Sequence, residues 1–358
     1  MVTKDITNPT VNDSDPIEIT DKTVTIELMG HTIDRNRTSS HSDGHIFWFK
    51  GSSESRIRDT AGGGVIKGGY ATNGGGVNVA KTATLNLYNV NVSGNKATDG
   101  GGIFVRGKLN VIGGVIRGNS SSDDGGAIHI CNEASSVSIK NTLITNNSSD
   151  SQAGAIYQDK NITATLENTF IINNSSDDKG GGIYLEDGTI DMTGGAVSGN
   201  SSTAGGGVYT IAGNTFTANG TMFCKNATTP NAGGAISTHG VLTLTDCIVS
   251  ENSSTEKAGG IYTGDQATST TLTNTTVKNN TAATGGGIGH YYGTVTLVGS
   301  AVTANSATGQ GGGVYNNASV SVSGSTVITD NTANGSANDL HMESNNTLTV
   351  ADSLNGDA

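Results

Sequence analysis

The residues of this 358-residue chain best suited to contact another molecule are aromatic, and they recur at a fixed step. After each run of small residues ending in Ile or Val stand, in order, Asn78, Phe104, His129, Tyr157, Tyr184, Tyr209, Ser237, Tyr262, Gly289 and Tyr315. On an extended backbone consecutive side chains point to opposite faces, so an inward Ile or Val sends this column outward, toward solvent. Phe104, His129, Tyr157, Tyr184, Tyr209, Tyr262 and Tyr315 are therefore the candidate binding residues. Tyrosine offers a glycan or an extended protein partner a flat apolar ring with a polar tip. The competing expectation is structural: neighbouring rings pack on one another to cover the sheet.

Other chemistry is thinner. Asp99, Asp123, Asp124, Asp150, Asp177 and Asp178 crowd the stretches just before the glycines. Stacked carboxylates repel, and a bound calcium ion would relieve them. No aspartate-rich calcium-binding nonapeptide is present and Lys179 sits among them, so they read as solvated turn residues with no metal. Cys131, Cys224 and Cys247 are too scattered for a disulfide framework or a zinc site, and read as buried free thiols. A polysaccharide lyase or hydrolase, the alternative function, needs paired carboxylates on long loops. The one odd cluster, His290-Tyr291-Tyr292, has no acidic neighbour in sequence, and the expectation is no enzyme and no cofactor. Scattered Thr-x-Thr pairs such as Thr243 and Thr245 fall short of an ice-binding array, and the Asn-Ser-Ser triplets match a glycosylation sequon only because serine follows a turn asparagine.

What must position the aromatic column is a repeat. Asn95, Asn119, Asn147, Asn174, Asn200, Asn226, Asn252, Asn280, Asn305 and Asn331 follow one another at steps of 24 to 28 residues. Three residues before each stands an apolar side chain, as in Val92, Ile116, Ile171, Phe223 and Ile328. Short alternating runs such as Leu85-Asn86-Leu87, Leu242-Thr243-Leu244 and Val320-Ser321-Val322 recur in phase, which marks half-buried strands. A fixed period in this range means stacked units. The expected fold is all-β: a right-handed, single-stranded parallel β-helix, with three short strands per coil of about 26 residues. The period is too short for a propeller blade, and the leucine spacing and helix of a leucine-rich repeat are missing. The asparagines are expected to sit at a left-handed turn and to hydrogen-bond from coil to coil.

Composition agrees with a thin solenoid. Only 33% of residues are hydrophobic, yet their strict spacing excludes a disordered chain. The formal charge of −12, without a Lys/Arg cluster, gives nucleic acid nothing to bind. No apolar run is long enough to insert in a membrane, and the polar start Met1-Val2-Thr3-Lys4-Asp5 is not a secretion signal. An exported parent protein would carry its signal and anchor outside this chain, which is expected to be monomeric as a fragment. Residues 1–61 read as an N-terminal cap with irregular first coils, 62–334 as regular coils, and 335–358 as a last irregular coil and fraying tail. Trp48, the only tryptophan, is expected in the cap core.

The pairing of Gly125-Gly126-Ala127-Ile128 with an apolar-x-x-Asn motif resembles the repeats of chlamydial polymorphic outer membrane proteins. The longer form Gly113-Gly114-Val115-Ile116-Arg117-Gly118-Asn119 is similar to repeat regions of large surface proteins of gut Gram-positive bacteria. The resemblance spans about residues 62 to 334. It implies a non-enzymatic stalk or adhesin at the bacterial cell surface, extracellular, with a host protein or glycan as partner.

Overall fold

The computed structural model describes residues 1–7 and 15–351; the tail expected to fray lies outside the described residues. Among those residues every regular element is a β-strand. The chain forms two compact units, Met1–Asp178 with Gly182–Gly188, and Lys179–Gly181 with Thr189–Ala358. Both are built from coils of a right-handed parallel β-helix.

One coil of the first unit shows the plan. Ile103–Val105 follows the glycines, Lys108–Ile112 alternates in and out, Val115–Arg117 carries the apolar residue before the asparagine, and Ser120–Ser121 follows it. The next coil pairs parallel and in register, Ile103 with Ile128, Leu109 with Val137, Ile116 with Ile144 and Ser121 with Ser149. Like therefore stacks on like, and the inward column of Ile, Leu and Val is a buried core one coil wide. The second unit repeats this with Val208–Thr210, Thr215–Asn219, Met222–Cys224 and Ala227–Thr228. Phe216 and Phe223 fill its interior edge to face, their centroids 6.1 Å apart.

The coil has four strands where the sequence suggests three. The added segment is the short piece after the asparagine, whose inward side chains are small and buried: Ser121, Ser149, Ser176, Ser202, Thr228 and Ser254 in six coils, and alanine, as at Ala97 and Ala282, in the others. With one small inward residue, Ser, Thr or Ala, in so short a piece, this strand gives no hydrophobic alternation to read. Two other strands run long: Ile156–Glu167 and Ile183–Thr193 pass from first to second position without a break. Gln158 staples the first of them, its amide donating to the carbonyls of Lys160, Ile162 and Asp187 at 3.0–3.1 Å.

The asparagines form the expected ladder. In the first unit Asn95, Asn119 and Asn147 each donate from Nδ2 to Oδ1 of the next, ending on Asn174, at 2.9–3.0 Å. In the second unit Asn200, Asn226, Asn252, Asn280 and Asn305 do the same, ending on Asn331. Each accepting Oδ1 also takes the backbone N–H of the asparagine before it, and Nδ2 reaches a carbonyl one coil back, as Asn226 does to Val197. At the head of the first ladder Gly69 N–H donates to Asn95. At the foot of the second, Asp339 Oδ1 receives Asn331 N–H and Nδ2 at 2.9 and 3.0 Å.

The left-handed turn is not at the asparagine, as expected, but at the residue before it. Asn146, Asn173, Lys225, Glu251, Asn279, Ala304 and Asp330 all have φ between 54° and 59°. The ladder amide is committed on all sides, so the turn falls to the preceding residue, whose side chain is free to vary. The middle glycine of each glycine motif serves packing instead: a Cβ on Gly101 would lie 2.4 Å from the carbonyl oxygens of Gly126 and Ser120.

Strands within residues 17–61 pair in parallel with the coils that follow. Ile17–Thr20 pairs with Phe47–Lys50, which pairs in turn with Val77–Val79, and Glu54–Arg58 pairs with Thr84–Tyr88. Phe47 and Phe49 point into the core, while Trp48 does not: it is half-buried on the opposite face, with Lys50 Nζ 3.2 Å from its ring centroid. Near the other end, Thr332–Ala333 folds back on Ser336–Ala337 as an antiparallel hairpin. The turn is Asn334-Gly335, both at positive φ, the pair that a two-residue hairpin favours.

Candidate functional site: a lateral aromatic column

Strand register decides which rings meet. In the first unit Trp48 pairs with Asn78, Asn78 with Phe104, Phe104 with His129 and His129 with Tyr157. Ring centroids are 4.9 Å apart for Phe104 and His129, 4.7 Å for His129 and Tyr157, and 5.4 Å for the stacked pair Tyr157 and Tyr184. The rings cover one another so fully that Phe104, His129, Tyr157 and Tyr184 are each 4–6% exposed. Arg106 lies over Phe104, 5.0 Å from its centroid, and Tyr157 donates its hydroxyl to Glu186.

In the second unit Tyr209, Tyr262 and Tyr315 do not touch each other, because Ser237 and Gly289 interrupt the register. Two rings missing from the sequence-based set close the gaps. His239 lies 5.3 Å from Tyr209 and 6.1 Å from Tyr262; Tyr291 lies 5.3 Å from Tyr262 and 5.1 Å from Tyr315. His341 stacks on Tyr315 at 5.4 Å and extends the column by one coil. The signal for His239 and Tyr291 was available: each stands two residues beyond an empty column position, hence on the same face. Gly289 leaves the room, since a Cβ there would meet the Tyr291 ring at 3.3 Å. Tyr262 and Tyr315 remain half-buried and so still present ring surface.

Polar groups edge the column. Tyr209 hydroxyl lies 3.2 Å from His239 Nε2, His239 Nδ1 lies 2.8 Å from Asp265 Oδ1, and Tyr315 donates to Glu343 at 2.8 Å. Lys257 lies over Tyr291, 4.8 Å from the ring centroid. Burial, then the Asp178 and Asp124 carboxylates, push the Tyr184 phenol up to about 12. Burial and the bond to Glu343 push Tyr315 up to about 12 as well, and burial lifts Tyr262 and Tyr291. These tyrosines therefore act as neutral rings and hydrogen-bonding tips, not as phenolate nucleophiles or bases.

The other sequence candidates fall elsewhere. His290 points into the coil, where Nδ1 lies 2.8 Å from Thr263 Oγ1 and Nε2 3.2 Å from Ser319 O; burial lowers its pKa to about 4. No carboxylate reaches it among the described residues. Cys247 is buried with its thiol against the carbonyls of Thr245 and Ala218, and burial pushes its pKa up. It stands in a second column of bonds that sequence reasoning missed, in which Cys247 N–H donates to Thr275, Thr275 N–H to Ser300 and Ser300 N–H to Thr326. The acidic turns do gather: Asp99, Asp123 and Asp124 place carboxylate oxygens within 4.8 Å of one another. Burial, then Asp123, push Asp124 up to about 6, and burial raises Asp99.

Residues 168–186 match the model of the Chlamydia polymorphic membrane protein repeat. That stretch holds both halves of the signature, Phe170-Ile171-Ile172-Asn173-Asn174 and Gly180-Gly181-Gly182-Ile183. The chain thus carries β-helix repeats like those of the polymorphic outer membrane proteins. No curated protein and no solved structure matches it.

Proposed function

We propose that this chain is the display segment of a bacterial surface protein, an autotransporter-like β-helix passenger that works as a stalk or adhesin outside the cell. The observation that carries the reading is the repeat at residues 168–186, since both of its motifs are the ones that build the coils. The family's members are surface proteins without enzymatic activity, and His290, the best enzymatic candidate in the sequence, is spent on two structural hydrogen bonds.

The contact face is the half-buried stretch of the aromatic column in the second unit, and the partner is a host protein or a glycan. Half-buried Tyr262 and Tyr315, edged by Lys257, Asp265 and Glu343, offer ring surface and hydrogen-bonding tips in alternation. Rings repeated from coil to coil suit many weak contacts that add up along an extended ligand. The test is a glycan and host-protein array probed with the wild-type chain and with the double variant Tyr262→Ala, Tyr315→Ala. Loss of a binding signal supports the reading; an unchanged array shows that the column only stabilises the sheet.

A further inference from the structure

Between the fourth strand of one coil and the first strand of the next, two successive coils of the first unit bring three carboxylates to one place. Asp99 ends the strand Lys96–Asp99, and Asp123 and Asp124 occupy the matching turn one coil on. Backbone bonds fix the arrangement: Asp123 N–H donates to Thr98 O and Gly100 N–H to Asp124 O, both at 2.9 Å. Among the described residues no Lys or Arg pairs with any of the three. Crowded acids at a turn are ordinary by themselves.

The observation that changes their meaning is His129. Its ring is 6% exposed and clamped between Phe104 and Tyr157, and Nδ1 has no hydrogen-bond partner. That nitrogen lies 3.7 Å from Asp99 Oδ1, one of the three acids. On the other side Nε2 lies 4.0 Å from Asp159 Oδ2, whose second oxygen is also buried and unpartnered. An unmet buried polar atom costs about 1–3 kcal/mol, and an ion bound at Nδ1 would remove that cost. A carboxylate behind the far ring nitrogen is the usual support of a ligating histidine.

We propose that Asp99, Asp123, Asp124 and His129 form a divalent-cation site that takes Mn2+ or Zn2+. Three carboxylate oxygens suit hard ions, and the imidazole nitrogen shifts preference away from Ca2+ and Mg2+ toward metals that accept both donors. Ligands bonded at about 2.0–2.2 Å stand at most about 4.4 Å apart across the ion. The 4.8 Å spread of the three carboxylates therefore has to close by a few tenths of an ångström, and His129 Nδ1, beside Asp99 but outside that spread, needs the exposed Asp123 side chain and its neighbour Asp124 to turn toward it. The ion would cross-link two coils beside the head of the aromatic column.

The full chain, stripped with EDTA, is titrated with Mn2+ and the free ion followed by electron paramagnetic resonance, with Zn2+ and Ca2+ as competitors. The expected result is one Mn2+ per chain, displaced by Zn2+ but not by equimolar Ca2+. Asp124→Asn and His129→Phe each weaken binding at least tenfold, while Asp246→Asn, at an exposed turn of the second unit, leaves it unchanged. Phenylalanine at 129 repeats its register partner Phe104, so the ring column is kept, and circular dichroism checks the fold; the isosteric Asp124→Asn serves should the ring change disturb folding. Absence of Mn2+ binding, or binding that His129→Phe leaves intact, overturns the proposal. Displacement by equimolar Ca2+ overturns it too, because it marks an all-oxygen site.

Discussion

A ladder asparagine is over-committed: Asn226 bonds Asn200, Val197 and Asn252 through its side chain. Asn226→Ala strips partners from buried groups on both neighbouring coils, each worth about 1–3 kcal/mol when left unmet, so a loss of about 3–5 kcal/mol is expected in urea unfolding. Asp339 only accepts, and Asp339→Asn should change stability by less than about 1 kcal/mol in the same assay. The residue before the asparagine carries the opposite lesson. Ala304 sits at φ 54°, where an L side chain costs about 1–2 kcal/mol, more than the roughly 0.4–1 kcal/mol of chain entropy that glycine adds to the unfolded state. Ala304→Gly is therefore expected to stabilise the protein by about 0.5–1 kcal/mol, read from the urea midpoint. The ladder was legible in sequence because only asparagine recurs there. The turn was not, because Lys225, Glu251 and Ala304 share it with asparagine and glycine, and a backbone angle leaves no single residue type as its mark.

Within one strand, alternation assigns side chains to faces, and that part of the candidate site could be read directly. Phe104, His129, Tyr157 and Tyr184 are in ring contact as consecutive column positions should be. The fixed step of the column did not reveal His239 and Tyr291 in place of the absent rings at Ser237 and Gly289, because each stands two residues off that step, although alternation puts it on the same face. Buried histidines have their own consequence. His45 and His290 are buried, and burial lowers both pKa values to about 4 from an ordinary 6.5. A depressed folded-state pKa gives stability that is complete above pH 6.5 and is lost as pH falls through 4, roughly 3 kcal/mol for each ring. Asp99 and Asp124 oppose this, because their raised values make the folded state more stable as they protonate. The clean measurement is thus a comparison: His290→Asn, which copies its register partner Asn316, should lose less stability than wild type between pH 7.5 and pH 4.

At the scale of the molecule, the described coils within each unit pair with the coil before and the coil after, about 26 residues away in sequence. Pulled from its ends in a single-molecule experiment, the second unit is expected to lengthen in steps near one coil of extended chain, about 90 Å at about 3.5 Å per residue. Asn226→Ala should move the first step to a lower force. The period made this architecture legible, yet the fourth strand escaped notice because single small residues, Ser, Thr or Ala, fill it from within. The way the second ladder finishes carries one more implication. Every amide in it faces the same way, oxygen toward the preceding coil and N–H toward the next, so the column is an aligned row of dipoles whose positive pole lies at Asn331. Asp339 sets a negative charge on that pole, as an acid does at the start of a helix. A designer wishing to graft on further turns should neutralise that terminator first, because an anion there can receive a proton donor but has none to pass along.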